Sequence, residues 1–179
     1  MTQTQLEYTN VMTICREIFE KKSLDYGLSW RILRPSSLTD QLFIKAQRIR
    51  TIQQTGKNLV GESLEDAFQG IVNYCIMAII QVRNPADFQD SMQAQDAIVL
   101  YDEIADEAKS LMERKNHDYG EAWRDMRVSS LTDLILSKIM RIKQIEDNRG
   151  ETHVSEGVQG NYFDMLNYSV FALIHLQKC

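Results

Sequence analysis

Proline and glycine are scarce in this chain, with 2 and 8 of 179 residues. An all-β protein needs many tight turns, and these two residues build many of them, so their scarcity argues against that class. The three cysteines, Cys15, Cys75 and Cys179, lie far apart and form no Cys-x-x-Cys pair. The spacing gives no sign of a disulfide framework or a structural zinc site. Cys15 and Cys75 lie in apolar stretches, where we expect them to act as small hydrophobic residues.

Long hydrophobic runs and a surplus of basic residues are also absent. The longest apolar stretches, around 74–80 and 170–176, are too short to cross a bilayer. The first residues, Met-Thr-Gln-Thr-Gln-Leu-Glu, do not show the basic and then apolar pattern of a signal peptide. We therefore expect a cytoplasmic protein with no membrane partner. The formal net charge is −5, so duplex nucleic acid is not an expected partner either. No Walker A loop or dinucleotide fingerprint is present.

An internal repeat is the strongest positive feature of the sequence. Residues 22–40 and 115–133 carry Lys-x-x-Asp-Tyr-Gly, Trp-Arg and Ser-Ser-Leu-Thr-Asp in the same order, 93 positions apart. Half of the positions from 22 to 53 are identical to their counterparts. After one inserted residue the offset becomes 94, and it continues through the rest of each copy. A structurally demanding turn is the alternative explanation for the Asp-Tyr-Gly segment, because its glycine suits a left-handed backbone position.

Each copy shows the apolar periodicity of three helices. The predicted helices cover about 6–23, 36–56 and 62–82 in the first copy, and about 96–116, 129–148 and 155–177 in the second. A serine cap is expected at the start of the second helix of each copy. The predicted fold is all-α, with six main helices as two tandem three-helix repeats, residues 1–92 and 93–179. Three helices bury little surface alone, so we expect the repeats to pack as one globular domain with pseudo-twofold symmetry.

The second helix of each repeat has a lysine in the middle of its apolar stripe. Lys45 and Lys138 occupy these positions, and Arg48 and Arg141 lie beside them. An unpaired buried charge is unfavourable, so each lysine must reach water or meet an anion, either a structural carboxylate or a ligand phosphate. Lysine supplies a point charge and arginine a planar fork, which together suit a polyphosphate. These four residues are the phosphate-binding candidates.

Carboxylates occur at the start and along the third helix of each repeat. The metal candidates are Glu62, Asp66, Glu156 and Asp164. Their patterns differ, because Asp66 aligns with a glycine in the second copy and Asp164 aligns with Gly70 in the first. Carboxylates at helical spacing can hold Mg²⁺ through their oxygens. A solvated acidic face is the alternative, and so is a composite site that uses Asp66 and Asp164 together.

The segment between the first and second helices carries aromatic and charged side chains in both copies. Large aromatic residues there can stack on a base or plug the end of the bundle. The third helices add one asparagine each. The candidates for base contacts or pocket walls are Asp25, Tyr26, Trp30, Arg31, Arg34, Asn73, Asp118, Tyr119, Trp123, Arg124, Arg127 and Asn167.

This set of motifs resembles the nucleotide-modification-associated domain family, in two tandem copies over about 8–82 and 101–176. A weaker resemblance is to the MazG-like all-α nucleoside triphosphate pyrophosphatases, in which Glu and Asp bind Mg²⁺ and water attacks the α–β phosphate link. The chain departs from their pattern, because Lys45-x-x-Arg48 replaces a Glu-rich motif and three residues separate Glu62 from Asp66.

These resemblances imply a nucleotide-handling protein. The first hypothesis is Mg²⁺-dependent hydrolysis of a nucleoside polyphosphate, and the alternative is a non-catalytic nucleotide-binding or assembly module. The expected partner is a nucleotide or another phosphorylated small molecule, and a homo-oligomer is compatible with the sequence.

Overall fold

The computed structural model describes residues 1–87, 89–153 and 157–178, and all six expected helices are present in them. They are α1 (Gln3–Tyr26), α2 (Pro35–Thr55), α3 (Leu64–Arg83), α4 (Ala94–Tyr119), α5 (Val128–Asp147) and α6 (Val158–Gln177). Single 3₁₀ turns, Ser29–Ile32 and Ala122–Asp125, precede α2 and α5. The described residues contain no strand, so the all-α prediction is confirmed. None of these helices is long and apolar enough to cross a bilayer.

The glycines of the two Asp-Tyr-Gly motifs end α1 and α4. Gly27 and Gly120 have φ angles of 70° and 60°, which side chains with a Cβ rarely adopt. The aspartate and tyrosine of each motif lie in the last helical turn, whereas the sequence predicted them in the connecting segment. The motif therefore has a structural function as a helix terminus, as the alternative explanation required.

The predicted serine caps of α2 and α5 are wrong. The N-cap positions are Arg34 and Arg127, and neither side chain caps its helix. α2 starts with Pro35, whose fixed φ suits the first helical position. By contrast, α3 has a capping box, in which Ser63 and Asp66 bond to each other's backbone nitrogen. The predicted start of the last helix at Ser155 lies outside the described residues.

α3 and α6 form the centre of the bundle. They pack against each other and against α2 and α5, while α1 and α4 lie on the outside. One hydrophobic core contains residues of both repeats, among them Phe19 and Phe68 from the first repeat and Tyr162 from the second. Cys15 and Cys75 are fully buried in it, as expected. Burial raises the pKa of the Cys15 thiol to about 12 and raises that of Cys75 further.

Two hydrogen bonds between equivalent residues connect the repeats through this core. The Tyr8 hydroxyl donates to Asn167 Oδ1 at 2.7 Å, and the Tyr101 hydroxyl donates to Asn73 Oδ1 at 2.8 Å. Each asparagine also donates through Nδ2 to a backbone carbonyl of its own repeat's first helix. Tyr8 and Tyr101 are equivalent positions, as are Asn73 and Asn167. The two bonds have the symmetry that a pseudo-twofold bundle requires. A pseudo-twofold relation between the two complete repeats stays a prediction.

Candidate functional site

A cleft of about 390 Å³ opens between α1, α2 and α3 of the first repeat, and we call it the first cleft. Hydrophobic side chains of α1 and α3, including Ile18, Phe19 and Met77, form its apolar part. The predicted candidates that line it are Tyr26, Trp30, Lys45, Glu62, Asp66 and Asn73. One cleft therefore contains members of the predicted phosphate, metal and pocket groups.

Lys45 reaches the first cleft by crossing Gly70 of α3. A Cβ atom at position 70 would lie 2.8 Å from Lys45 Cε and 3.1 Å from its Nζ. The ammonium group is 3.7 Å from Glu62 Oε1 and 5.7 Å from the centre of the Tyr74 ring. Lys45 thus meets an acid, as its sequence position predicted, and it also lies near an aromatic ring. Burial, with Tyr26 and Glu62 nearby, raises the pKa of the Tyr74 hydroxyl.

Arg48 holds Glu62 and the loop that precedes α3. One guanidinium nitrogen is 3.4 Å from Glu62 Oε2, and another donates to the Glu62 backbone oxygen at 2.6 Å and to Asn58 Oδ1 at 3.0 Å. Arg48 does not line the first cleft. Its contacts make it a positioning residue for Glu62, which in turn faces Lys45.

Lys138 is paired with the carboxylate that has no counterpart in the first repeat. Its Nζ lies 2.9 Å from Asp164 Oδ2, and Lys115 Nζ lies 2.6 Å from Asp164 Oδ1. Asp164 is buried, so two ammonium groups neutralise one carboxylate there. The prediction that both stripe lysines meet an anion is confirmed.

A second, more open cleft of about 750 Å³ lies in the second repeat. Lys115, Lys138 and Asp164 line it, together with Arg141, which is exposed and has no ion-pair partner in the described part of the chain. Only the first three of these occupy positions equivalent to residues of the first cleft. The two clefts therefore differ in shape and in the residues that surround them.

The two tryptophans lie in the 3₁₀ turns before α2 and α5 and are buried. Trp30 packs 6.2 Å from Phe19 between ring centres and also lines the first cleft. Trp123 stacks on Phe171 at 4.3 Å with nearly parallel rings. Met77 stands in the first repeat where Phe171 stands in the second. The larger ring in the second repeat fills space next to its tryptophan, so Trp123 is part of the hydrophobic core.

Arg31 and Arg124 follow these tryptophans and both form internal ion pairs. Arg31 is buried and makes a bidentate pair with Asp90 at 2.9 and 3.0 Å. It also donates to the Asn84 backbone oxygen at 2.7 Å. Arg124 pairs with Glu7 at 2.8 Å and with Glu121 at 3.0 Å. Neither arginine lines the first cleft.

The remaining predicted pocket residues are spread over the surface and the core. Tyr26 is 59% exposed at the mouth of the first cleft. The exposed residues outside that cleft are Asp25, Arg34, Asp118, Tyr119 and Arg127. Asn73 and Asn167 are buried, and the reciprocal bonds to the tyrosines occupy their side chains.

The metal candidates do not converge in the described residues. Glu62 and Asp66 line the first cleft, whereas Asp164 lines the second and Glu156 lies outside the described residues. Within residues 1–87, 89–153 and 157–178, no group of three or more His, Cys, Asp or Glu side chains is placed to hold a metal ion. Glu62 is engaged by Lys45 and Arg48, and Asp66 caps α3. This donor set does not fit the several oxygen ligands that Mg²⁺ needs.

The predicted site residues did not include Lys22, Gln69, Gly70 and Tyr74, which line the first cleft. Lys22 and Tyr74 both recur in the second repeat as Lys115 and Tyr168, and that recurrence was the available signal. Gln69 does not recur, and Gly70 is replaced by Asp164 in the second repeat, a difference that marked the position without assigning Gly70 to a site.

Comparison with known protein families agrees with the two-copy organisation. The family model for nucleotide modification associated domain 1 matches residues 22–82 and again residues 115–176. Neither the comparison with curated proteins nor the comparison with solved structures found a significant match. The two matched segments cover more than half of the sequence and coincide with the two repeats. The chain therefore belongs to the nucleotide modification associated domain 1 family and carries the domain in two segments.

Proposed function

We propose that the first cleft binds a nucleotide. The observation that carries this proposal is the convergence, in one cleft, of aromatic rings from Tyr26 and Tyr74 with the ammonium group of Lys45. An aromatic ring suits the apolar face of a base, and a lysine suits a phosphate. The family to which the chain belongs is named for nucleotide modification, which supports the same ligand class.

The dimensions and lining of the first cleft support a ligand of this size. Pockets for small ligands enclose roughly 300–1,000 Å³ and combine an apolar wall with a few polar groups. The first cleft, at about 390 Å³, is near the lower end of that range. Ile18, Phe19 and Met77 supply the apolar wall, and Gln69 adds an amide that both donates and accepts hydrogen bonds.

Hydrolysis of a bound nucleotide is the second candidate, because Glu62 and Asp66 line the same cleft. Both carboxylates already have partners within the protein, which favours a non-catalytic binding module over the hydrolase. A requirement for Mg²⁺, a cytoplasmic location and self-association stay predictions from the sequence.

Calorimetric titration with nucleosides and nucleotides, with and without Mg²⁺, tests the proposal. Phosphate and pyrophosphate release are measured in parallel. Binding without release supports the binding module, and turnover selects the hydrolase. If no nucleoside or nucleotide binds under either condition, the proposed function is wrong.

Tyr26→Ala locates the binding site. Loss of base stacking on one aromatic ring weakens binding by about 1–3 kcal/mol, and Tyr26 is exposed, so the fold should survive its replacement. The control is Tyr119→Ala, at the equivalent and exposed position of the second repeat, which does not line the first cleft. Equal affinity of both variants would show that the ligand binds elsewhere.

A further inference from the structure

We propose that Lys22 and Lys45 hold the phosphate of a nucleoside monophosphate above Gly70, with one ligand per chain. This proposal rests on nucleotide binding in the first cleft and adds the place of the anion, the phosphate number and the stoichiometry. It comes from comparing three equivalent positions of the two repeats: Lys22 with Lys115, Lys45 with Lys138, and Gly70 with Asp164.

The second repeat shows what these three positions do when all of them carry charge. Asp164 projects from α6 between the two lysines, and each of its oxygens meets one ammonium group, at 2.6 and 2.9 Å. The carboxylate is about 8% exposed, so it functions as an internal anion for the lysine pair. In the second repeat, the carboxylate of Asp164 thus supplies the negative charge between the two lysines.

The first repeat keeps both lysines and lacks the carboxylate. Lys22, Lys45 and Gly70 all line the first cleft, and Gly70 has only hydrogen where Asp164 has its side chain. Lys22 has no ion-pair or hydrogen-bond partner in the part of the chain that the structure describes. Lys45 turns to Glu62 instead, at the longer distance of 3.7 Å. Lys22 and Lys45 lie at an open cleft without the carboxylate that Asp164 places between their counterparts. They form an anion-binding position, which we call the phosphate seat.

A phosphate monoester fits this seat better than a longer polyphosphate. Its charge of about −1.5 to −2 at neutral pH is opposite in sign to that of the two ammonium groups and similar in magnitude. Glu62 and Asp66 line the same cleft, and further phosphates would bring negative charge towards them without additional lysines to compensate. The same carboxylates can accept hydrogen bonds from the sugar hydroxyl groups of a nucleoside. The lining therefore favours one phosphate and a sugar over a triphosphate.

Calorimetry on the full chain tests the seat with three probes of the same base: the nucleoside, its 5′-monophosphate and its 5′-triphosphate, without divalent metal. We expect the monophosphate to bind about 10-fold or more tightly than the nucleoside, because its phosphate makes charge-assisted hydrogen bonds to the lysines. It should also bind more tightly than the triphosphate. The expected stoichiometry is one per chain. Equal affinity for nucleoside and monophosphate, preference for the triphosphate, or two equal sites per chain would overturn the proposal.

Two variants and one control variant test where the phosphate binds. Lys22→Ala should bring the ratio of monophosphate affinity to nucleoside affinity close to one. Lys21→Ala, the neighbouring exposed lysine outside the cleft, removes the same charge and should have little effect. Gly70→Asp introduces the carboxylate that the second repeat has and should abolish the monophosphate preference.

The failure of this proposal is distinguishable from the failure of the proposed function. If the nucleoside and the monophosphate bind equally to the wild type, the cleft binds nucleosides and the phosphate seat is wrong. If Lys22→Ala and Lys21→Ala weaken monophosphate binding equally, a general charge effect explains the preference and the seat is again wrong. If none of the three probes binds, the proposed function itself is wrong. Circular dichroism and the Tm of each variant confirm that it is folded.

Discussion

Lys45 crosses Gly70 so closely that a Cβ at position 70 would lie 2.8 Å from Lys45 Cε. The absence of a side chain on α3 thus lets the lysine of α2 reach the first cleft. A glycine inside a helix lowers stability by about 0.5–1 kcal/mol relative to alanine, so its presence here has a local reason. Contact with Lys45 therefore favours glycine at position 70, whereas helix propensity favours alanine.

A double-mutant cycle measures this conflict. Gly70→Ala in a Lys45→Ala background should raise the free energy of unfolding by about 0.5–1 kcal/mol, because only helix propensity changes. In the wild type the gain should be smaller, since Lys45 must move away from the new methyl group. Urea unfolding of the four proteins gives the coupling free energy. Equal gains in both backgrounds would mean that the lysine does not restrict position 70.

Removal of one hydroxyl should break a bond between the repeats. Tyr101→Phe leaves the buried Asn73 Oδ1 without its donor, and Tyr8→Phe does the same to Asn167. Each change should lower the free energy of unfolding by about 1–3 kcal/mol, the penalty for an unsatisfied buried polar group. Tyr119→Phe, which removes an exposed hydroxyl, is the control. A loss no greater than the control's would show that water satisfies the asparagine.

Replacement of Arg31 by lysine should lower stability and leave ligand affinity unchanged. Lysine keeps the charge but cannot make the bidentate pair with Asp90 and the bond to the Asn84 carbonyl together. We expect a loss of about 1–3 kcal/mol in the free energy of unfolding. Arg34→Lys, at an exposed position, should stay within about 0.5 kcal/mol of the wild type. Weaker nucleotide binding by Arg31→Lys at unchanged stability would assign Arg31 to the ligand instead.

The stability of the fold should decrease in acid through Glu7. Its partial burial alone would raise the pKa of the carboxyl, but hydrogen bonds from Arg124, Lys178 and Gln3 lower it from 4.5 to about 2. A pKa that is lower in the folded state means that the unfolded chain takes up the proton first as the pH falls. The contribution of Glu7 is therefore complete above about pH 5 and is lost progressively towards pH 2.

Glu7→Gln should flatten that dependence. The variant should be less stable than the wild type at pH 7 and approach it as the pH falls to about 2, in urea unfolding curves measured across that range. Glu17→Gln changes the same charge at an exposed position of α1 that has no ion pair among the described residues, and serves as the control. A constant difference between Glu7→Gln and the wild type from pH 7 to pH 2 would contradict the assignment.

Helix number, helix faces and the repeat were readable from the sequence because they depend on local periodicity and on the comparison of two segments. The apolar stripes of α2 and α5 predicted that Lys45 and Lys138 would each reach water or meet an anion, since an unpaired charge on a buried face is unfavourable whatever the rest of the fold is. The tandem copies of the family were readable for the same reason, because shared motifs repeat at a constant offset.

Only the tertiary structure decided which partners these residues have. Tyr8 and Asn167 are 159 positions apart, and Arg31 and Asp90 are 59 apart, so no local pattern connects them. Lys45 meets Glu62 and lies against Gly70, whereas Lys138 meets Asp164, which occupies the position equivalent to Gly70. Sequence periodicity determines which face of a helix is buried. The packing of α3 and α6 in the centre determines which charged groups meet, and it leaves Lys22 in the first cleft without an ion-pair partner among the described residues.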